Sequence, residues 1–181
     1  NPDLQVVAWI FNVGSGYAKS LVTLETGTNM WGGGTAPGRR VKLPWGDAFF
    51  NVASLNNDGK NIMKRSIDWA AGLENKNLLF VVSDPASLSA RSSGRKTLFE
   101  SWGYSVTLID DNVTQANFES AAATCDVVYV SPDVSDIALA NKLTSANKGV
   151  VNELPGQMDN FGFCSSTSGT VLATGFTQTD A

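Results

Sequence analysis

Leu78-Leu79-Phe80-Val81-Val82-Ser83 is a run of five apolar residues closed by a serine. It has the length of a buried strand and is too short for a buried helix. Two runs of the same kind follow, Tyr104-Ser105-Val106-Thr107-Leu108-Ile109 and Asp126-Val127-Val128-Tyr129-Val130, and a shorter one spans 149–152. Between them lie segments of helical periodicity. The first, 87–102, repeats Leu88, Arg91, Arg95, Leu98, Phe99 and Trp102, and Gly103 closes it. The second is 114–123, and the third, 134–147, carries Val134, Ile137, Ala138 and Leu143. The order β-α-β-α-β-α-β predicts a parallel sheet with right-handed crossovers and helices on both faces. Continuous apolar strands fit burial on both sides, so Leu79, Val81, Val106, Leu108, Val128 and Val130 are expected in the core.

Upstream of Leu78 the order is unusual. Residues 4–11 read as an apolar strand, Asn12-Val13-Gly14-Ser15-Gly16 as a turn, and 18–26 as a returning strand. Gly32-Gly33-Gly34 with Pro37-Gly38 makes a loop, and Arg40-Val41-Lys42-Leu43 alternates as a half-exposed strand would. Residues 57–71 then form a helix with Ile62, Met63, Ile67, Ala70 and Ala71 on one face and Gly72 at its C-terminal cap. A closing helix therefore precedes the first strand of the α/β unit. That order predicts a permuted module or a segment cut across a repeating array: 1–74 as the C-terminal portion of one module, 75–77 as a linker, and 78–181 as the N-terminal portion of the next or of the same one. Residues 1–72 are expected to lie against the sheet that begins at Leu78, because neither the helix face nor Leu4–Phe11 is suited to water. Trp69 and Trp102, inside amphipathic helices, are expected to anchor helix to sheet, while Trp31 and Trp45, beside loops, are the candidates for surface contacts.

Composition narrows the chemistry. Hydrophobic residues make up 43% of 181, enough for one core. The length is short for two domains of roughly 100–150 residues each. No apolar run approaches the roughly 20 residues that cross a bilayer, and no secretory signal begins at Asn1, so a secreted form would have its signal upstream or removed. The net charge of −4 and the scatter of the 13 basic residues, Arg39-Arg40 and Lys64-Arg65 apart, argue against nucleic acid. Histidine is absent, which removes the usual base near neutral pH and every Ser-His-Asp or Cys-His arrangement.

Leu78–Gly156, with Lys96-Thr97-Leu98-Phe99-Glu100-Ser101-Trp102-Gly103-Tyr104 and Cys125-Asp126-Val127-Val128-Tyr129-Val130-Ser131, resembles the core of class I glutamine-amidotransferase-like domains, nearest the trehalose-utilisation type. The resemblance implies an α/β, flavodoxin-like three-layer sandwich with a mainly parallel sheet, its sequence order permuted or cut across two repeats. It also implies a module of the kind repeated in large bacterial surface proteins. Members of that family carry a nucleophilic Cys on a sharp elbow after the third strand, with His and Glu partners. Ser131-Pro132-Asp133-Val134-Ser135 stands there instead, with no His to activate Ser131 or Ser135. Asp133 or Ser135 fits the cap of the next helix, and Cys125, before the strand, does not replace the nucleophile.

Other motifs read as structural. Cys125 and Cys164 would close a disulfide in an oxidising compartment or remain two small buried thiols. Leu55-Asn56-Asn57-Asp58-Gly59-Lys60-Asn61 hints at a calcium loop, but counted from Ser54 the twelfth position is Arg65, so a turn and an N-cap at Asn57 or Asp58 is the better reading. Gly32-Gly33-Gly34 lacks the residues of a phosphate loop. Ser87–Ser93 with Arg91 and Arg95 offers a small-anion site or simply a polar helix start, and Asn112-Val113-Thr114 is a lone glycosylation sequon.

Two functions follow from different classes. The first is a non-enzymatic extracellular structural or surface-repeat protein that assembles head-to-tail with copies or repeats of itself. It sits outside the cell or on its surface, with no nucleic acid, no membrane span in this segment, no cofactor, and no catalytic or metal residues. The second is a degenerate hydrolase or small-ligand-binding module using Asp84, Arg91, Ser131 and Asp133 at the strand ends.

Overall fold

A computed structural model describes residues 5–12, 16–31, 33–45, 50–72 and 76–163. The strands are β1 (Gln5–Asn12), β2 (Gly16–Leu24), β3 (Arg40–Lys42), β4 (Asn77–Val82), β5 (Ser105–Asp110), β6 (Val127–Val130) and β7 (Gly149–Asn152). The helices are α1 (Asn57–Ala71), α2 (Ala90–Ser101), α3 (Gln115–Ala123) and α4 (Asp136–Leu139). All seven strands form one sheet in the order β1-β2-β3-β7-β6-β4-β5. From β3 to β5 every pairing is parallel, while β1 and β2 add an antiparallel hairpin at one side. The mainly parallel, flavodoxin-like sandwich expected from the sequence is therefore what the chain forms.

The alternation of strand side chains makes the three layers. Leu78, Phe80 and Val82 of β4 join Met63 and Ile67 of α1 and Phe99 of α2 on one face. Leu79 and Val81 turn to the other face, against Phe118 and Ala122 of α3, Leu139 of α4, and Phe161 and Phe163. Phe80, Phe99 and Tyr129 meet edge-on or tilted at centroid distances of 4.7–5.8 Å, an arrangement that adds to the burial of three large rings. Leu79, Val81, Val128 and Val130 are buried as expected. Val106 and Leu108 are only half-buried, because β5 is the last strand and one of its faces is poorly covered.

Strands from both sides of the 73–75 stretch share this sheet, with Arg40, Val41 and Lys42 in parallel register with Val150, Val151 and Asn152. Helix α1 lies so close to β7 that a Cβ built on Gly149 would stand 1.9 Å from the Ala70 carbonyl oxygen. Among the described elements β1 pairs only with β2, so the apolar first strand is an edge strand after all.

Several local expectations change. Asn56, not Asn57 or Asp58, caps α1, its Oδ1 accepting from Gly59 N at 2.9 Å. Gly72 ends that helix with φ 74°. The segment expected to be helical over 134–147 forms only α4 before Ala140 turns to φ 45°, and 140–145 continue as turns. At the far end of this stretch Arg40 supplies the donor, its Nη1 donating to Lys148 O at 2.8 Å and its Nη2 to Ala146 O at 2.8 Å. Trp45, expected at the surface, is 8% exposed and stacked on Phe50 at 5.6 Å, whereas Trp31 is 48% exposed. Trp69 and Trp102 pack partly buried against the core, as expected of anchors. Cys125 is a buried free thiol; Cys164 lies outside the described residues. No described helix is long and apolar enough to cross a membrane.

Candidate functional site

The crossovers diverge at β4. The chain leaves β4 through α2 to β5 on one side, then returns through α3 to β6 on the other side of β4. The carboxyl ends of β4 and β6 flank this reversal, and a crevice at such a reversal is where open α/β sheets place ligands.

Ser131 follows β6 directly, and its amide donates to Val81 O at 3.1 Å, which extends the ladder one residue and fixes the side chain. Ser131 is fully buried. Its hydroxyl lies 3.0 Å from Ser92 Oγ, and Ser92 Oγ donates to Asp133 Oδ2 at 2.9 Å. A serine has one hydroxyl proton. With the Ser92 proton committed to Asp133, Ser131 is the donor in the first link. The chain of protons runs Ser131 to Ser92 to Asp133. Ser89 Oγ also donates to Asp133 Oδ2, and Asp133 N donates back to Ser131 Oγ at 3.3 Å. Arg91 Nη1 stands 3.8 Å from Asp133 Oδ1 with 36% of its side chain exposed.

Helix α2 creates this cluster by its spacing. Ser89 is the N-cap, accepting from Ser92 N at 3.1 Å, and Ser92 and Arg95 follow at intervals of three on the sheet-facing side. The carboxylate of Asp133 sits at the positive end of the helix dipole, where a negative charge is favoured. The small-anion position considered for Ser87–Ser93 is therefore filled by the chain's own aspartate, and the polar helix start is the correct reading.

Arg95 enters a different layer. It is fully buried and forms a two-pronged ion pair with Glu153, the residue after β7, with Nη2 to Oε1 at 3.2 Å. Burial works against the Arg95 charge, yet the Glu153 carboxylate more than compensates and holds its pKa up. Phe50 covers the guanidinium at 5.6 Å. Tyr129 lies against the pair, and its phenol is pushed well above its ordinary range, by burial first and then by Glu153. Lys42, at the end of β3, donates to Trp45 O at 3.1 Å and to Leu43 O. Burial pushes its pKa down to about 8, with Glu153 opposing.

Of the four residues expected at the strand ends, Arg91, Ser131 and Asp133 come together. Asp84 does not: it is exposed and closes its own turn, Oδ1 accepting from Ala86 N at 2.8 Å. Ser135 caps α4, accepting from Ala138 N at 3.3 Å. Ser131 is not on a strained elbow, since Ala140 is the one non-glycine residue with positive φ among those described. Sequence reasoning did not single out Ser92 within Ser87–Ser93, and it missed Glu153. Glu153 did carry a signal, a lone carboxylate directly after an apolar strand. No group of three metal-ligating side chains occurs among the described residues. A hollow of about 510 Å³ lies between α3 and residues 142–148, and a polar one of about 430 Å³ lies at the amino ends of β3 and β7. Neither contains the serine-aspartate cluster.

No protein-family model and no curated protein matches the chain. Among solved structures, it is similar to one named "Crystal Structure of a Putative Peptidase E Protein from Listeria monocytogenes EGD-e", at 14% identity and a TM-score of 0.37. The match covers 51% of this chain and 52% of that one, so the chain spans about half the length of the structure it matches. The sequence reading expected no enzyme, whereas the structure matched here bears the name of a peptidase.

Proposed function

We propose that the chain is a ligand-binding α/β module whose site is the edge formed by the carboxyl ends of β4 and β6. The observation that carries this reading is the placement of Ser92, Ser131, Asp133 and Arg91 at the reversal of the crossovers. Asp133 accepts hydrogen bonds and the part-exposed Arg91 donates them, side by side. A small polar molecule with both a donor and an acidic or amide oxygen, such as a free amino acid or a small amide, matches that pair. Two-dimensional NMR with free amino acids and small amides as probes tests it. Shifts centred on Arg91, Ser131 and Asp133, lost in Asp133→Asn, are expected. Shifts centred on the hollow beside α3, or none with any probe, would overturn the reading.

A second reading rests on a separate observation. Among the described elements β1 is an edge strand, Gln5-Val6-Val7-Ala8-Trp9-Ile10-Phe11-Asn12 contains neither proline nor charge, and such edges recruit further strands. Assembly with neighbouring copies would use it. A concentration-dependent increase in mass that Ile10→Lys removes is expected; a monomer at millimolar concentration would dismiss this reading.

A further inference from the structure

The loop that carries Ser131 and Asp133 is tied to its neighbour by one buried carboxyl group. Asp111 follows β5, and its amide donates to Val82 O at 3.0 Å, fixing the residue beside β4. The residue is 1% exposed. Oδ2 accepts from Ser135 N at 2.7 Å, at the start of α4, while nothing donates to the buried Oδ1. The backbone carbonyl of Asp111 accepts from Lys142 Nζ at 2.8 Å, and the same ammonium donates to Ala138 O at 2.6 Å. The tie therefore has two strands, one through the carboxyl and one through the lysine.

We propose that Asp111 is a proton-operated latch between the loop after β5 and the loop after β6, closed when its carboxyl is protonated and loosened when it ionises. The charges facing it come from two elements. Asp110, at the end of β5, stands beside it with Oδ1 already accepting from Asn112 N at 2.7 Å. Lys142 comes from the turn after α4. Helix α3 presents apolar Phe118, over whose ring Lys142 lies at 5.8 Å. Asp136, next to Ser135, is engaged by Gln157 Nε2 at 2.6 Å. An ionised Asp111 would put two carboxylates side by side, with an oxygen that no donor satisfies, and Lys142 offsets only part of this. A protonated Asp111 supplies the missing donor. Burial is the first cause that raises its pKa; the Asp110 charge adds to it, while the Ser135 amide and Lys142 work the other way.

The sign is fixed by linkage. A raised carboxyl pKa means the closed form holds a proton that the open form releases. Latch stability is complete at low pH and declines as pH climbs from the ordinary carboxylate range to the raised value. Its effect on ligand access rests on the binding reading above; the latch itself is read without any ligand.

Hydrogen exchange of the Ser135 amide, corrected for intrinsic rates, measures the latch. Protection should fall across that window, by at most about tenfold per pH unit for one proton, and then level off. In Asp111→Asn the side-chain amide donates toward Asp110 while its oxygen still accepts from Ser135 N, so the protection should stay flat. In Asp110→Asn, with the like charge gone, the decline should shrink. A flat profile in the wild-type chain, an unchanged decline in Asp111→Asn, or a larger decline in Asp110→Asn would each overturn the latch. If the latch behaves as expected while no probe binds at the strand ends, the binding reading fails alone.

Discussion

Arg95 and Glu153 form an ion pair in which neither side chain has any exposure to solvent, joining the middle of α2 to the end of β7. Removing water from both ions is costly, and their attraction offsets that cost only because the geometry is two-pronged. Losing one partner leaves the other charge stranded. Glu153→Ala is expected to destabilise the fold by about 3–5 kcal/mol. Replacing both residues, as Arg95→Met with Glu153→Leu, should restore most of it. Urea unfolding of the single and double variants checks this, and a double variant as weak as the single one would contradict it.

Gly149 has no room for a side chain. A Cβ there would stand 1.9 Å from the Ala70 carbonyl oxygen and 2.4 Å from its carbon, and both are backbone atoms. Relief requires α1 to move away from β7. Gly149→Ala should therefore cost about 1–3 kcal/mol, the usual range for overpacking, read as a lower urea midpoint. Gly72, with φ 74° and open space at its Cβ position, would be strained by Ala for conformational reasons alone.

Arg40 satisfies the carbonyls of residues 144–148 from more than a hundred residues away in sequence, and its burial lowers its pKa to about 10. Arg40→Met would remove the donor from these part-buried carbonyls, at about 0.5–1.5 kcal/mol for each hydrogen bond lost. The effect should be concentrated locally. Amide exchange across 142–148 should accelerate more than exchange in β4 or β6; uniform acceleration would mean that Arg40 serves global stability only.

The parallel sheet was legible because β4, β6 and β7 are apolar without interruption, and only strands covered on both faces need that. Thr114 and Gly103 were legible as helix ends for local reasons: one caps with its hydroxyl, and the other adopts φ 85°. The end of α4 was not legible. Ala138, Leu139, Lys142 and Leu143 all favour helix, yet the chain leaves it at Ala140 with φ 45°, and farther along Arg40, brought alongside by the β3–β7 pairing, takes the Ala146 and Lys148 carbonyls. The site divides the same way. Ser131 and Asp133 were visible from their place after an apolar strand, whereas Ser92 meets them, and Glu153 meets Arg95, only through the strand order β7-β6-β4. Arg95 looked like one more position in an amphipathic stripe because the stripe pattern does not distinguish a buried charge from an exposed one.

Lys42 makes the last test, because its pKa has moved toward neutrality, to about 8, by burial with Glu153 opposing. An unfolded lysine titrates near 10.4. The folded state thus holds fewer protons than the unfolded one between those two values, and stability should rise as pH climbs from about 8 to about 10.4. The gain is on the order of 3 kcal/mol before other groups are counted. In the unfolded chain cysteine titrates near 8.5 and tyrosine near 10, so the comparison is the wild-type chain against Lys42→Met at each pH. The variant lacks the group, and the difference between the two curves should grow in favour of the wild type across that window. Below pH 7 the wild-type chain carries a buried ammonium that two carbonyls and Glu153 only partly compensate, and there the methionine variant should be at least as stable. Parallel curves for the two proteins would show that burial beside Leu43 and Trp45 does not depress the Lys42 amine against the opposing Glu153 charge.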